Sequence, residues 1–416
     1  MPKHVRATAG LMLASLVLAA CAPNASESAE PTGSASASAT ASQGAAPSET
    51  GLPRVPDGEL YYPSADAVAA SAPGQVIASV EIRTDPGLRA WFVVYASTGL
   101  DGQPVAVSGL ILAPAAPPAS ESGYPVVAWG HGTTGIADVC APSKVGMEAL
   151  QPELRTLALQ GYVVTATDYE GLGTDGIHPY LIGISEGRSV LDSIRAAIAL
   201  PDAHAGQQAV VIGLSQGGHA TLWAAQLKPS YAPDLQVLGA FAASPPTDMV
   251  GWETWAFEQA AAGNIGAAAP AVLIFGVWNA IYDAPLGFLT DAGRQSALAG
   301  VEGCDPTMPS ATPYTSDPAE IPEWRALLVG NSPGAVLTDV PIRVVSPRDD
   351  QAVAWDTQVA GVETMCAIGD TVELVTVPGG HDASIDPPAA WAEAVTWITD
   401  RFAGVAPISS CTPNAF

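Results

Sequence analysis

The stretch AVVIGLSQGGH at residues 209–219 decides the fold of this chain. Its apolar, β-branched start is typical of a buried strand, and the sequence ATLWAAQL that follows it is typical of a helix. The pattern G-x-S-x-G stands between the two, and in that context it forms a sharp turn that exposes its serine. Glycine is needed two positions to either side of Ser215 because neighbouring backbone comes very close there. We therefore predict that Ser215 is a nucleophile on this turn; the alternative is a plain structural turn.

Strand-like and helix-like segments alternate along most of the rest of the chain. The predicted strands are Gln75–Ile82, Ala90–Ser97, Val105–Leu112, Tyr124–Trp129, Tyr162–Thr167, Ala209–Ile212, Val237–Phe241, Ile342–Val345 and Val372–Val377. The predicted helices include Met147–Gln160, Ser185–Leu200, Gly217–Leu227 and Pro388–Phe402. Such alternation predicts an α/β fold with a mostly parallel central sheet flanked by helices. The first three strands have no helices between them, so we expect an antiparallel meander there.

The alternation stops between residues 247 and 338, a stretch rich in Ala, Gly and Trp. A connection of that length is rarely without structure of its own. We interpret it as an inserted, mainly helical cap. Its Trp and Phe side chains either line an apolar channel for an acyl chain or form the core of the cap.

A nucleophilic serine on such a turn needs a histidine base, which follows it in the chain. Two histidines follow Ser215. His219 lies one helical turn further on and points along its own helix face, where it cannot easily reach back over the serine. His381 comes directly after a predicted strand, in the sequence VPGGHDAS, where two glycines free the loop. We therefore predict His381 as the base; the alternative is a histidine in a surface loop.

The acid that orients the base follows the strand at residues 342–345, where Asp349 and Asp350 compete. Loops of this kind often read D-x-x-V, which selects Asp350, three positions before Val353. Asp349 would then cap or solvate the turn. The chosen carboxylate accepts a hydrogen bond from one ring nitrogen and stabilises the imidazolium as it forms.

An oxyanion hole requires two N–H donors. One is the amide of Gln216, the residue after the nucleophile. The loop GHGTTG, which follows the strand Tyr124–Trp129, predicts the other donor as the amide of Gly132 or Thr133, with His131 organising the loop. The alternative is a glycine turn with an incidental histidine. Asp168 and Glu170 end another strand at the same sheet edge, and we interpret them as part of a hydrogen-bonded structural loop.

Composition narrows the class of partner. The chain has 416 residues, of which 48% are hydrophobic, so a large core is possible and disorder of the whole chain is excluded. A formal net charge of −26 excludes binding through a basic patch, and with it nucleic acid as a partner.

The N-terminus predicts export. Basic residues precede an apolar run that ends in LAAC, which resembles a bacterial lipobox with Cys21 as its lipidated cysteine. Plain cleavage with an incidental Cys21 is the alternative. We predict a signal peptide at residues 1–20, a lipidated and disordered tether at 21–52 and a folded domain at 53–416. The protein would face outward from the cell membrane or be secreted.

Four further cysteines occur in the folded part. An even number in an exported chain predicts two disulfide bonds, with three pairings possible from the sequence. Their spacing matches no metal-site pattern, and we predict neither a metal nor an organic cofactor. The four cysteines are Cys140, Cys304, Cys366 and Cys411.

Together these motifs resemble the secretory lipase family, the lipase A type of α/β-hydrolase, and in particular its bacterial lipoprotein members. The resemblance covers about residues 60–416 and rests on HGTTG, CAPS, TDYEGLG, GLSQGGH, the cap and the late GGH. It implies hydrolysis of fatty-acid esters, with acyl chains in a tunnel under the cap. It also implies disulfides between Cys140 and Cys304 and between Cys366 and Cys411. One departure is Pro347, which replaces a glycine common in the acid loop.

The sequence thus predicts a monomeric, lipid-anchored serine lipase or esterase that acts on triacylglycerol-type esters through an acyl-enzyme. An acyltransferase would use the same residues and differ only in the acceptor of the acyl group. A short-chain esterase would share the scaffold as well. Outside the enzymes, the same chain could be a surface lipoprotein without catalytic activity.

Overall fold

The computed structural model describes residues 58–82, 86–145, 153–305 and 308–412. Its centre is a nine-stranded sheet in the order β1-β2-β3-β5-β4-β6-β7-β8-β9. The strands are β1 (Val76–Ile82), β2 (Leu88–Thr98), β3 (Pro104–Pro114), β4 (Tyr124–Gly130), β5 (Val163–Thr167), β6 (Ala205–Leu214), β7 (Gln236–Ala243), β8 (Ile342–Pro347) and β9 (Val372–Val377).

The sheet is antiparallel at its start and parallel thereafter. Strands β1, β2 and β3 pair antiparallel, and β3 also pairs antiparallel with β5. From β5 to β9 all neighbours are parallel. This confirms the predicted meander and the predicted fold class. The parallel strands end at one edge, where residues that follow different strands can meet.

Helices cover both faces of the sheet. They are α1 (Ala65–Ala69), α2 (Pro142–Val145), α3 (Leu154–Leu159), α4 (Gly183–Ala199), α5 (Gln216–Tyr231), α6 (Met249–Ala261), α7 (Ala269–Tyr282), α8 (Asp291–Gly300), α9 (Pro322–Asn331), α10 (Trp355–Ile368) and α11 (Pro388–Phe402). Consecutive residues of β6 face opposite sides of the sheet. Val211 belongs to the core cluster that contains residues of α4, α5 and α10, and Ile212 belongs to the cluster that contains residues of α3 and α11. The run of buried residues in β6 follows from this two-sided burial.

The segment between β7 and β8 contains α6, α7, α8 and α9. Its aromatic side chains pack on one another: the ring of Trp324 lies 5.1 Å from that of Phe275 and 5.8 Å from that of Trp278, between centroids. All three are fully buried. Of the two interpretations of these aromatics, the structure therefore places these three in the core of the cap. The window Ile265–Tyr282 is apolar enough to cross a membrane, but more than half of it is buried inside the protein.

Two disulfides close loops of different size. Cys140 pairs with Cys304, which ties the loop after β4 to the segment after α8, and Cys366 pairs with Cys411. This is the pairing that the family resemblance implies.

Several predictions fall on residues outside the described ranges. These are the signal peptide, the lipidated Cys21 and the tether at 21–52, and most of the first half of the helix predicted at 147–160. Within that predicted helix the structure describes α3 only.

Candidate active site

Ser215 occupies the turn between β6 and α5 in a backbone conformation that non-glycine residues rarely adopt, with φ 58° and ψ −116°. Its amide donates to the carbonyl oxygen of Ala243 at 2.8 Å, across to the neighbouring strand. The turn also brings α5 against the end of β4: a Cβ on Gly217 would lie 1.9 Å from the carbonyl oxygen of Gly130. The strained backbone of Ser215 and the glycines two positions to either side of it are features of a nucleophile elbow.

We expect Gly217→Ala to destabilise the protein. The added methyl group would meet backbone oxygen rather than a flexible side chain, and overpacking of this kind costs about 1–3 kcal/mol. Gly266→Ala is the matched control, because a Cβ there meets nothing within 4 Å. Urea denaturation measures both variants. Equal free energies of unfolding for the two would show that the turn tolerates a side chain.

His381 and Asp350 form a hydrogen-bonded pair. The Nδ1 atom of His381 lies 2.8 Å from Oδ2 of Asp350, so Nδ1–H donates to the carboxylate and Nε2 is left free to accept a proton. The Asp350 side chain is fully buried and accepts two backbone N–H bonds, at 2.8 Å from Ala352 and 2.9 Å from Val353. Gln358 donates to the same carboxylate at 3.1 Å. These donors hold the carboxylate in one orientation toward the imidazole.

Asp349, the competing carboxylate, is exposed and has a different contact. Its Oδ2 accepts from the amide of Gly379 at 3.3 Å, and its own amide donates to the carbonyl oxygen of Gly379. Asp349 therefore braces the loop that carries His381, whereas Asp350 contacts the imidazole itself.

Adjacent residues link the loop of His381 to the turn of Ser215. Ser244 follows Ala243, whose carbonyl oxygen accepts from the Ser215 amide. The Ser244 hydroxyl donates to the carbonyl oxygen of His381 at 2.6 Å, and its oxygen lies 2.8 Å from the hydroxyl oxygen of Ser384. The predicted nucleophile and base are thus bound to two consecutive residues at the end of β7.

The glycine loop after β4 lies beside the elbow. Gly130 pairs with Gly213 at the end of the parallel strands, and a Cβ on Gly132 would lie 3.9 Å from the Cβ of Ser215. His131 bonds the Gly132 carbonyl oxygen through Nδ1 at 2.6 Å. Burial lowers the pKa of His131 to about 4, so its ring is neutral and organises the loop without carrying charge.

Tyr180 connects Thr133 to the cap. The Thr133 hydroxyl lies 2.8 Å from that of Tyr180, and the carbonyl oxygen of Tyr180 accepts from the indole of Trp278 on α7. No sequence pattern indicated this contact between the glycine loop and the cap.

Asp168 has a structural environment, in agreement with the interpretation of its loop. It is buried and accepts from the Ser143 amide at 2.9 Å, from the Ser143 hydroxyl and from the Ser108 hydroxyl at 2.6 Å. Burial raises the pKa of Asp168 to about 6, although these hydrogen bonds oppose the rise.

We expect Asp168→Asn to flatten the pH dependence of stability. The folded state holds the Asp168 proton more tightly than the unfolded chain, whose carboxyl keeps a pKa of 3.8. The contribution of Asp168 to the free energy of unfolding is therefore full below pH 3.8 and is lost as the pH rises through 6. The change is on the order of 3 kcal/mol. Urea denaturation from pH 4 to 7 tests this. Parallel curves for wild type and Asp168→Asn would contradict it.

The described residues contain no group of three or more His, Cys, Asp or Glu side chains that could hold a metal ion. His219, whose place in the sequence argued against a role as the base, is fully buried and pairs with Glu186 through Nδ1 at 2.9 Å. The serine and the imidazole–carboxylate pair described above lie at the ends of the parallel strands β6, β8 and β9.

The chain is similar in sequence to several known lipases. A family model described as secretory lipase matches residues 141–279. Lipase A of Moesziomyces aphidis is 31% identical over 225 residues, which cover 49% of this chain and 47% of that protein. The chain spans about half the length of the first curated relatives it matches. A probable inactive lipase of Mycobacterium tuberculosis is 26% identical over 381 residues, covering 84% of this chain and 82% of that one.

The crystal structure of Candida antarctica lipase A in its closed state superimposes with a TM-score of 0.68 and 22% identity. The match covers 86% of this chain and 88% of that structure, and it shows a shared fold. Residues 141–279 therefore resemble the secretory lipase family, and the chain has the α/β-hydrolase fold of its structural neighbours.

Proposed function

We propose that this protein is an exported carboxylic ester hydrolase that uses Ser215, His381 and Asp350. The observation that carries the proposal is the 2.8 Å hydrogen bond between His381 and the buried Asp350, together with the bond that ties the His381 loop to the strand end beside the Ser215 elbow. The secretory lipase match over residues 141–279 supports the same reaction class.

In the first half of the proposed reaction, the Ser215 oxygen attacks the ester carbonyl carbon. His381 Nε2 accepts the serine proton, and Asp350 stabilises the imidazolium. The carbonyl oxygen becomes an oxyanion that accepts from the amides of Gln216 and of Gly132 or Thr133. The bond to the alcohol oxygen then breaks, His381 returns its proton to the departing alcohol, and the acyl group remains on Ser215.

In the second half, water takes the place of the alcohol. His381 removes a proton from the water as it attacks the acyl-enzyme, and the same amides hold the second oxyanion. The fatty acid leaves when the bond to Ser215 breaks and His381 returns the proton to the serine oxygen. An acyltransferase would differ only here, because another alcohol would replace water.

The proposed substrate is a fatty-acid ester of the triacylglycerol type. Support comes from the large apolar cap over the sheet edge and from the names of the curated relatives, among them a secreted triacylglycerol lipase of Malassezia globosa. We test this with p-nitrophenyl esters from acetate to palmitate and with a triacylglycerol emulsion. Long-chain esters should be hydrolysed at least as fast as short ones. A steep loss beyond short chains would replace the lipase proposal by an esterase, and acyl transfer to a competing alcohol in preference to water would replace it by an acyltransferase.

We further propose that the lipobox at Cys21 anchors the exported protein to the outer face of the cell membrane. Detergent phase partitioning tests the anchor. Wild type should enter the detergent phase and Cys21→Ser the aqueous phase, whereas aqueous partitioning of both would contradict it.

A surface protein without catalytic activity is the second candidate, because one relative that aligns over 84% of this chain is named a probable inactive lipase. The ester assays decide between the two. Equal background rates for wild type and Ser215→Ala, with both folded, would favour the inactive protein.

A further inference from the structure

A network of buried polar side chains that the proposed mechanism does not use lies next to the elbow. Glu186, near the start of α4, is fully buried, as are Gln216 and His219 on α5. Carboxylates are almost never buried unless they are paired. The partners of Glu186 therefore decide what it does.

Glu186 accepts three hydrogen bonds. Its Oε1 accepts from the amide of Leu181 at 2.9 Å and from the side-chain amide of Gln216 at 2.8 Å. Its Oε2 lies 2.9 Å from Nδ1 of His219. The carboxylate thus joins the first turns of two adjacent helices, and one of its partners is the residue whose backbone N–H faces the proposed oxyanion.

The second N–H of the Gln216 side chain is also held. The side-chain nitrogen of Gln216 lies 2.8 Å from Nε2 of His178, and Nδ1 of His178 lies 2.9 Å from the carbonyl oxygen of Glu170. Since a carbonyl oxygen only accepts, Nδ1 carries the proton and Nε2 accepts from Gln216. Burial lowers the pKa of His178, which agrees with a neutral ring. Gln216 therefore has both side-chain N–H groups occupied and a single orientation.

His219 connects the Glu186 carboxylate to the cap. Its Nδ1 lies 2.9 Å from Oε2 of Glu186, and its Nε2 lies 2.8 Å from the carbonyl oxygen of Asn331, the last residue of the cap helix α9. Since a carboxylate oxygen only accepts, Nδ1 donates to Glu186. The indole N–H of Trp223 lies 3.1 Å from Nε2 and 3.2 Å from the same carbonyl oxygen.

We propose that Glu186 is a positioning residue for the oxyanion hole: its carboxylate, held in place by His219, fixes the Gln216 side chain and hence the Gln216 backbone amide. The proposal rests on the proposed function. A misplacement of about 1 Å in a reacting group costs on the order of 10²-fold in rate. Freeing Gln216 should therefore lower kcat and leave KM unchanged, because the lost interaction is made in the transition state.

Gln216→Met removes the held side chain and keeps the backbone amide, and Glu186→Met removes the carboxylate. We expect kcat to fall on the order of 10–100-fold in each. Glu186→Gln should stay within a few-fold of wild type, since its oxygen still accepts from Gln216 and its nitrogen can donate to Nδ1 of the other His219 tautomer. Asp192→Asn is the matched control: Asp192 is a second buried carboxylate of α4, paired with Arg195 and remote from Gln216 in its contacts. The Asp192→Asn variant should have a lower free energy of unfolding than wild type but an unchanged kcat.

Nitrogen-15 NMR of the imidazoles gives a readout that does not depend on activity. The His219 signals, assigned by their loss in His219→Gln, should show a proton on Nδ1 in wild type. They should show no proton on Nδ1 in Glu186→Gln, whose side-chain nitrogen donates to that atom. An unprotonated Nδ1 in wild type would overturn the hydrogen bond to Glu186, and wild-type kcat in folded Gln216→Met would overturn the positioning role. Should Glu186→Met fail to fold, Gln216→Met and the NMR spectra decide alone.

Discussion

Ser215→Ala should lose ester hydrolysis by a factor on the order of 10⁴ or more in kcat. The variant lacks the oxygen that is proposed to attack the carbonyl carbon, so no acyl-enzyme forms. Residual hydrolysis above the uncatalysed rate should remain, because substrate binding and the oxyanion donors still contribute when water attacks the ester directly. Initial rates with a p-nitrophenyl ester measure the effect.

The fold of Ser215→Ala should be intact. Position 215 should keep its φ of 58°, because β6 and α5 fix the turn on either side of it. The hydrogen bond from its backbone amide to the carbonyl oxygen of Ala243 does not involve the hydroxyl. Circular dichroism and thermal unfolding provide the control. Wild-type rates in this variant would mean that another nucleophile does the chemistry.

Asp350→Asn should have the second largest effect, a fall on the order of 10⁴-fold in kcat. The amide would present a nitrogen or a neutral oxygen to Nδ1 of His381, so the tautomer that leaves Nε2 free would no longer be favoured. The imidazolium that forms in the transition state would also lose its counter-charge. Rates at saturating ester isolate kcat.

Asp349→Asn is the matched control for the acid, because the two carboxylates are adjacent in sequence. Asp349 is exposed and bonds the Gly379 amide, and an asparagine side chain can accept the same bond. We expect kcat to change by no more than a few-fold. If Asp349→Asn instead abolished activity and Asp350→Asn spared it, the two roles would have to be exchanged.

The sheet was predictable because its signals are local. Each buried strand is a short β-branched run between glycine, proline and aspartate residues, and the lack of helical segments between the first three strands predicts the antiparallel meander. The order serine, acid, histidine then directs attention to loops that follow strands, where Asp350 and His381 are found. That they form a hydrogen bond is a finding of the structure, and their catalytic roles remain predictions that the variants above test.

The network behind the elbow was not predictable from sequence. Glu186 reads as an ordinary acidic residue in the first turn of a helix, and nothing in its neighbourhood indicates that it is buried. Its contacts with Gln216 and His219 join positions about 30 residues apart, and only the packing of α4 on α5 brings them together. The position of His219 on the elbow helix argues against it as the base, but no sequence pattern indicates its place in this network.

The cap shows a different limit of prediction from the sequence. Its length and aromatic content predict a helical insertion, yet composition does not tell which rings face one another. The structure packs Phe275, Trp278 and Trp324 together in a buried cluster, so residues that line an acyl channel must be sought elsewhere in the cap.

Labelling with a fluorophosphonate, followed by intact-mass measurement and peptide mapping, tests the central claim most directly. The reagent forms a covalent bond with a serine oxygen only when a nearby base activates it. We expect one adduct per chain, on Ser215, that is absent in Ser215→Ala and forms far more slowly in His381→Ala. No adduct on folded wild-type protein, or an adduct on another serine, would contradict the account.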